Sequence, residues 1–526
     1  MMGSMILGVP RATAPGATAV AATPATVVAL RRLGYDVLVE AGAGAAAHLT
    51  DDAYREAGAT VGTTEQAWGA DVVALVSAPA PADVERLTPG ATFAAMLAPA
   101  QRPDLLEALA RRRVTALALD AVPRISRAQA FDTLSTQSNI AGYRAVVEAA
   151  QAYGGMLAGQ VTAAGKTDPA TVFVIGAGVA GLAAIGAAGS LGARVRAFDV
   201  RPEVAEQIES LGGEFVRAPQ AQQEVAADGY ATPLTPEQQA AAMDVYAVET
   251  ARADIVITTA LVRGTAPTTI TAAMVAAMRP GSIVVDLAAS GGGNCEVTVP
   301  GSTVVTPGGV TVIGETDLTA RMPRHTSQLL GTNVVNLLTL MTPGRDGVLV
   351  LDLDDVVVRG LTVTGPDGVL WPPPPVQVSA APAAPPSPPP LTPAEVAARE
   401  TAERDERRRR GQRRTVAIAL GAVLVAFALT SAPASVLPHL MVFALAVVVG
   451  FYVISQVSHS LHTPLMAQTN AISGIILVGA LLQLGNESLL VTVLAFLAAS
   501  VASINIFGGF LVTSRMIGMF AQGVRR

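Results

Sequence analysis

The sequence predicts an α/β protein joined to a membrane α region: two doubly wound lobes, then a four-helix transmembrane segment. Three observations carry that reading. Short β-branched runs alternate with alanine-rich amphipathic stretches over residues 1–370. A proline–alanine stretch follows at 371–393, and the hydrophobic excess of the chain collects after about residue 415.

The runs are "DVLVE" (36–40), "DVVALV" (71–76), "TVFVIG" (171–176), "RVRAFD" (194–199), "DIVITTA" (254–260), "SIVVDLA" (282–288) and "VTVIG" (310–314). Helical stretches such as "PATVVALRRLG" (24–34) and "VAGLAAIGAAGSLG" (179–192) separate them. Strands alternating with helices of that length imply parallel sheets covered on both faces. Seven or more strands and two separate glycine-rich turns exceed one compact unit, so two sheets are expected.

"WPPPPVQVSAAPAAPPSPPPLTP" (371–393) is dominated by proline and alanine, cannot bury a core of its own and reads as an extended, semi-rigid linker. "AEVAARETAERDERRRRGQRR" (394–414) reads as a charged helix ending in an arginine cluster. Four apolar spans follow, near 415–432, 437–456, 467–484 and 489–512, with "GNES" (485–488) as the last turn. Each is close to the ~20 residues a bilayer-spanning helix needs. Arginines at 407–410, 413 and 414, and Arg515, Arg525 and Arg526, flank the first and last spans. The positive-inside rule then puts both termini and the α/β region in the cytoplasm.

The net charge of −6 offers no basic face for nucleic acid. One cysteine, Cys295, excludes a disulfide framework and a multi-Cys metal site, and reads as a small half-buried residue. Lys166 is the only lysine, with arginine used elsewhere.

"VFVIGAGVAGLAAIGAAGSLGARVRAFD" (172–199) places Gly176-x-Gly178-x-x-Gly181 directly after a strand and at the start of a helix. Alone that motif is weak. Here strand, turn, helix, second strand and a terminal acid, Asp199, are all present, as in a Rossmann-like dinucleotide site. The glycines let backbone approach a pyrophosphate held at the helix N-terminus. Asp199 favours NAD over NADP by accepting from ribose hydroxyls and repelling a 2′-phosphate. Arg201 tempers this, because an arginine there is able to accept a phosphate. The dinucleotide lobe is expected to span 136–329, the other lobe 1–135 with 330–370, the linker and charged helix 371–414, and the membrane domain 415–526.

"PRISRAQAFD" (123–132) holds two arginines, a glutamine and an aspartate without histidine, cysteine or lysine. Arg124 and Gln129 can donate to a carboxamide oxygen, and Asp132 can accept from its NH₂. Such a cluster orients a nicotinamide without proton chemistry. A solvated loop that caps the following helix with Asp132 or Ser135 is an equally open reading.

Further motifs accompany these: "AVAATP" (19–24), "VEAGAG" (39–44), "NIAGYRAVVEAA" (139–150), "ADGYA" (227–231), "IVVDLAASGGGNCE" (283–296), "SQLLGTNVVNLL" (327–338), "VSHSLHTPL" (457–465), "TNAISGII" (469–476) and "SINIFGGF" (503–510). Together they resemble, nearly end to end, the alpha subunits of the proton-translocating NAD(P) transhydrogenase family, within the alanine dehydrogenase/transhydrogenase group. The resemblance implies an NAD(H)-binding subunit whose partner beta subunit carries NADP(H) and most of the proton path. Hydride then passes directly between the nicotinamides, which demands proximity and orientation rather than an acid or base. It also implies self-association through paired NAD-binding modules, and contact with membrane lipid.

By that resemblance Arg124, Gln129, Asp132 and Ser135 hold the nicotinamide, and Arg127 supports their loop. Gly176, Gly178, Val179 and Gly181 form the turn, and Asp199, Val200 and Arg201 match the adenosine-ribose contacts. Gly229, Tyr230 and Met243 fall in a loop that closes over the nucleotide, and Leu261 joins the cofactor-binding set. Ala12, Ala17 and Ala19 stand where relatives commonly have glutamate, glutamate and arginine. Leu75 replaces a lysine, and Met96 stands near a catalytic histidine of the alanine dehydrogenases. Without a carboxylate clamp and proton donor, turnover of alanine is not expected.

In the membrane region Asn505, Ser500 and Ser503 fall in the last span, and His459, His462 and Asn470 between the second and third. Such groups mark an ion path or join helices by hydrogen bonds, and packing is favoured for Asn505. Glu487 sits at a turn, and no acid or histidine lies deep in a span. A competing reading of the whole chain is a membrane-tethered NAD(H) sensor without chemistry. No second nucleotide-binding turn follows the linker, so an NADP site must come from another polypeptide.

Overall fold

The computed structural model describes residues 4–123, 125–222, 234–261, 266–374, 442, 445, 473–485 and 487–521, the last fifteen as backbone. The chain divides into two compact units, Met1–Ala381 and Pro382–Arg526. The first contains the strands β1 (Ile6–Val9), β2 (Asp36–Glu40), β3 (Thr60–Gly62), β4 (Val72–Ser77), β5 (Thr92–Met96), β6 (Thr115–Ala118), β7 (Gln160–Thr162), β8 (Gly165–Thr167), β9 (Thr171–Ile175), β10 (Arg194–Phe198), β11 (Glu214–Phe215), β12 (Ile255–Thr258), β13 (Ile283–Asp286), β14 (Thr303–Val305), β15 (Thr311–Ile313), β16 (Thr362–Gly365) and β17 (Gly368–Val369).

Two sheets form, as expected. The first runs β17-β16-β6-β5-β4-β1-β2-β3 and the second β11-β10-β9-β12-β13-β15-β14. Both are parallel except at their edges, where β16, β17 and β14 pair antiparallel. Side chains alternate between the faces of a strand, so both faces need an apolar cover. In the second sheet Val172, Val174, Ile255 and Ile257 enter one core, while Phe173, Ile175 and Val256 enter the other. The first sheet divides the same way, with Val72 and Ala74 on one face and Val73 and Leu75 on the other.

Several strands lack a β-branched signature. β5 ("TFAAM") and β6 ("TALA") are alanine-rich, yet they are strands because central positions bury both faces and small side chains fit there. The β7–β8 hairpin lies outside both sheets.

Two helices position the crevice of the second sheet. Val179–Ser190 connects β9 to β10, and Thr133–Ala152 packs beside it. Gly142 is required at their crossing, because a Cβ there would sit 2.0 Å from the Ala180 carbonyl oxygen. Ala145, Val146 and Ala149 share one core with Ala184, Ile185 and Ala188, so the contact continues along both helices.

In the second unit the Leu489–Ala521 helix is, among the described residues, the one long and apolar enough to cross a membrane. A shorter apolar helix covers Ser473–Gln483. The spans expected at 415–432 and 437–456, the linker from 375, the charged helix, His459, His462 and Asn470 lie outside the described residues apart from positions 442 and 445.

Cys295 is buried and free. Burial pushes its thiol above the usual cysteine value. We expect a thiol reagent at pH 8 to leave native protein unlabelled and to label one thiol per chain after denaturation. Stoichiometric native labelling would contradict this burial.

Candidate functional site

The glycine turn lies where the strand order of the second sheet reverses, between β9 and β12. In open α/β sheets that switch point opens a crevice at the carboxyl ends of the strands. Gly176 has φ +91°, and a Cβ on Gly181 would sit 1.9 Å from the Gly176 carbonyl oxygen. These two glycines let the helix start pack on the strand end. Gly178 differs: a Cβ there meets nothing within 4 Å among the described residues. It is the N-cap of Val179–Ser190 and makes no side-chain cap bond. The helix N-terminus therefore faces open space with its N–H groups available, which suits an anion. Val179 stands exposed at its start.

The floor of the crevice is tied by Thr259, whose hydroxyl donates to the carbonyls of Ile175 (3.1 Å) and Gly176 (3.2 Å). Asp199, at the tip of β10, is buried and accepts from the Ala177 N–H at 2.7 Å. The Arg201 guanidinium donates to both Asp199 oxygens at 3.0 Å. Those hydrogen bonds hold the Arg201 guanidinium above its usual value. The two side chains form one forked pair, so Arg201 is not a free cation beside the acid. Val200 is half-buried between them.

Beyond β12, Leu261 is exposed. Its neighbour is fixed by buried Asn294, whose amide donates to the Ala260 (2.8 Å) and Pro267 (2.7 Å) carbonyls. Asn294 in turn hangs on Asp286, a fully buried carboxylate that accepts from the Asn294 N–H at 2.7 Å.

"PRISRAQAFD" forms a 3₁₀ turn, Ser126–Phe131, that breaks at Asp132 before the Thr133–Ala152 helix. Asp132 caps that helix, accepting from the Ser135 N–H at 2.9 Å and from the Ser135 hydroxyl. The helix-capping reading is thus realised, and it leaves Gln129 exposed beside the cap. Arg127 is engaged elsewhere. Its guanidinium binds Asp355 through two bonds of 2.7 and 2.9 Å, which fits the loop support expected of it. Met243 departs from expectation too: it lies inside the Pro236–Arg252 helix, half-buried against the sheet core, rather than in a loop. Arg124, Gly229 and Tyr230 lie outside the described residues.

Asp355 also caps the Val356–Leu361 helix through Val357 and Val358. The Arg127 hydrogen bonds hold its carboxyl below the usual range. A depressed native pKa gives stability that is full above the unfolded value, ~3.9, and is lost as pH falls through the native one. No loss from this group is expected between pH 8 and 5. Asp355→Ala removes cap and pair, and we expect a cost of about 1–2 kcal/mol with faster amide exchange over 126–131. Unchanged exchange there would show that Arg127 does not support the turn.

In the first lobe the loop after β1 carries Ala12, Ala17 and Ala19, Leu75 is buried in β4, and Met96 ends β5 against the core. All of these side chains are apolar.

The comparisons agree with this layout. Residues 8–141 match the N-terminal domain, and 145–372 the C-terminal domain, of alanine dehydrogenase/PNT. Residues 439–522 match the 4TM region of pyridine nucleotide transhydrogenase. The NAD(P) transhydrogenase subunit alpha of Haemophilus influenzae is 49% identical over 522 residues, covering 99% of this chain and 100% of that protein. The Cereibacter sphaeroides subunit alpha is 49% identical over 523 residues, 98% of this chain and 100% of that one. The chain belongs to the NAD(P) transhydrogenase alpha-subunit family. Among solved structures, the transhydrogenase from Sinorhizobium meliloti superposes with a TM-score of 0.61 at 36% identity, over 70% of this chain and 99% of that one. An L-alanine dehydrogenase superposes with a TM-score of 0.59 at 27% identity, over 70% of this chain and 97% of that one.

This transhydrogenase alpha-subunit relative also carries the family's membrane segment. There the Asn505 amide donates to the Ser473 hydroxyl at 2.7 Å, joining the two described helices. Ala480, Ala495, Ala499 and Ala502 on these helices are buried. Small residues allow close approach, and the amide bond is the helix-joining contact that the packing reading expects of Asn505. Ser500 bonds back to the Phe496 carbonyl within its own helix, and Glu487 is exposed before the helix start.

Sequence reasoning missed Thr259, Asp286, Asn294 and Asp355 as supports of the site. The motif "GGGNCE" was visible, but its bonds to a segment 27 to 34 residues away were not.

Proposed function

We propose that this chain is the NAD(H)-binding subunit of a membrane transhydrogenase. Hydride passes directly between NAD(H) here and NADP(H) on a partner beta subunit, coupled to proton translocation. The observation that carries the reading is the switch-point turn: an uncapped helix N-terminus, space above Gly178, and the Asp199 acid at the next strand tip. Relatives named subunit alpha along the full length support the division of labour.

In this reading Gly176, Gly178, Val179 and Gly181 hold the pyrophosphate. Asp199, Val200 and Arg201 meet the adenosine ribose, and Gly229, Tyr230, Met243 and Leu261 complete the enclosure. Arg124, Gln129, Asp132 and Ser135 orient the nicotinamide carboxamide. NADH when bound supplies the hydride, and the chain contributes orientation and exclusion of water, with no residue acting as acid or base. The Asp199–Arg201 fork supports NAD over NADP, since a 2′-phosphate would have to displace the carboxylate from its own arginine. The NAD-binding lobe is 136–329, with 1–135 and 330–370 as its companion. The region after 415 crosses the bacterial inner membrane four times, both termini cytoplasmic, and NAD-binding modules pair.

Titration of the detergent-purified chain by nicotinamide fluorescence tests the assignment. We expect NADH to bind, and NADPH to bind at least about tenfold more weakly. Equal affinity for both would contradict the site. NADH binding without transfer in a complex with the beta subunit would favour the sensor reading.

A further inference from the structure

The Ala130 carbonyl lies between Gln129 and Asp132, at the end of the 3₁₀ turn. A carbonyl there would ordinarily accept an N–H three or four residues on and carry the turn into the following helix. The chain instead breaks at Asp132 (φ −68°, ψ 87°). The oxygen is taken by two side-chain amides from the Pro323–Met341 helix, Asn333 and Asn336, each donating from Nδ2 at 3.0 Å.

Spaced three apart, the two asparagines share a face of that helix. The helix itself is fixed in the first-lobe core by Leu330, Val334, Leu337 and Leu338. Asn333 is 6% exposed, and its Oδ1 is buried without a hydrogen-bond partner. Packing alone would be served better by an apolar side chain, which strands no acceptor. The amide is therefore present for its donor, and the donor goes to Ala130.

From this geometry we propose that Asn333 and Asn336 are positioning residues for the nicotinamide half of the site. Their clamp keeps the 3₁₀ turn from running into the helix. That break leaves Asp132 free to cap Ser135 and leaves Gln129 exposed beside it. The inference rests on the functional reading above, since it names what sets the direction of the proposed carboxamide contacts.

The test compares two ligands on the full-length, detergent-purified chain. NADH carries the nicotinamide, whereas ADP-ribose shares the adenosine and pyrophosphate but lacks it. For Asn333→Leu/Asn336→Leu we expect NADH affinity to fall about tenfold, the equivalent of one lost hydrogen bond, with ADP-ribose within about twofold of wild type. Bound-NADH emission should shift as the ring is released. Asn336→Leu alone, at the more exposed position, should weaken NADH about threefold and keeps the test open if the double variant misfolds. Parallel loss of both ligands would reduce the pair to a structural role and overturn the proposal, as would unchanged NADH binding. Wild-type protein that binds neither ligand would sink the functional reading and the clamp with it.

Discussion

Gly181→Ala is expected to abolish measurable NADH binding, by about 100-fold or more, and Gly178→Ala to weaken it about tenfold without touching stability. The two differ because the added methyl meets different things. At Gly181 the Cβ would lie 1.9 Å from the Gly176 carbonyl oxygen, which belongs to backbone and cannot swing aside. The helix start must then lift away from β9, and the N–H groups aimed into the crevice move with it. Overpacking of this kind also costs about 1–3 kcal/mol. At Gly178 φ is −73° and no described atom lies within 4 Å of the added Cβ, so the protein accommodates alanine. What the methyl fills is the space for the pyrophosphate. Calorimetric titration and a thermal melt on each variant separate the cases. A Gly178→Ala protein with wild-type NADH affinity would show that the phosphates do not sit over this turn.

Asp286→Ala should be the most destabilising single change in the second lobe, costing about 3–5 kcal/mol. The carboxylate is fully buried and accepts from the Ala288, Asn294 and Cys295 N–H groups and the Thr298 hydroxyl, at 2.7–3.0 Å. Removing it strands four donors at once. The effect reaches the site, since Asn294 loses its anchor and with it the hold on the Ala260 and Pro267 carbonyls beside Leu261. Urea unfolding and NADH titration should both register the change. A loss under about 1 kcal/mol would mean that the 288–298 segment is held by something else.

The sequence made the five inner strands of the second lobe legible, because their runs are β-branched and the turn is marked by three glycines and an acid. The short β11, β14 and the β7–β8 hairpin were not expected. "RVRAFD" was expected over 194–199 and β10 covers Arg194–Phe198. The first lobe was harder. β5 and β6 are built largely from alanine, whose placement in a strand depends on neighbours and not on its own preference. The return of β16 antiparallel to β6 joins residues more than 240 apart, which no local pattern announces.

The site divides in the same way. Residues that would touch a nucleotide lie in contiguous motifs. The groups that hold those motifs in place come from far along the chain: Asp355 to Arg127, Asn333 and Asn336 to Ala130. A carboxylate partner 228 residues away cannot be seen from the loop that carries the arginine. The resemblance placed Met243 in a loop, whereas it lies in a helix whose core side is marked by Ala242 and Tyr246.

The most direct measurement is deuteride transfer in the complex of this chain with its beta subunit, purified in mild detergent. NADPH carrying deuterium at the nicotinamide C4 is supplied with the acetylpyridine analogue of NAD. We expect the label to appear in the reduced analogue without exchange into water, and the transfer to collapse in Gln129→Ala while ADP-ribose still binds. A complex that binds NADH but moves no deuterium, or one whose label washes out into solvent, would contradict direct transfer between two nicotinamides.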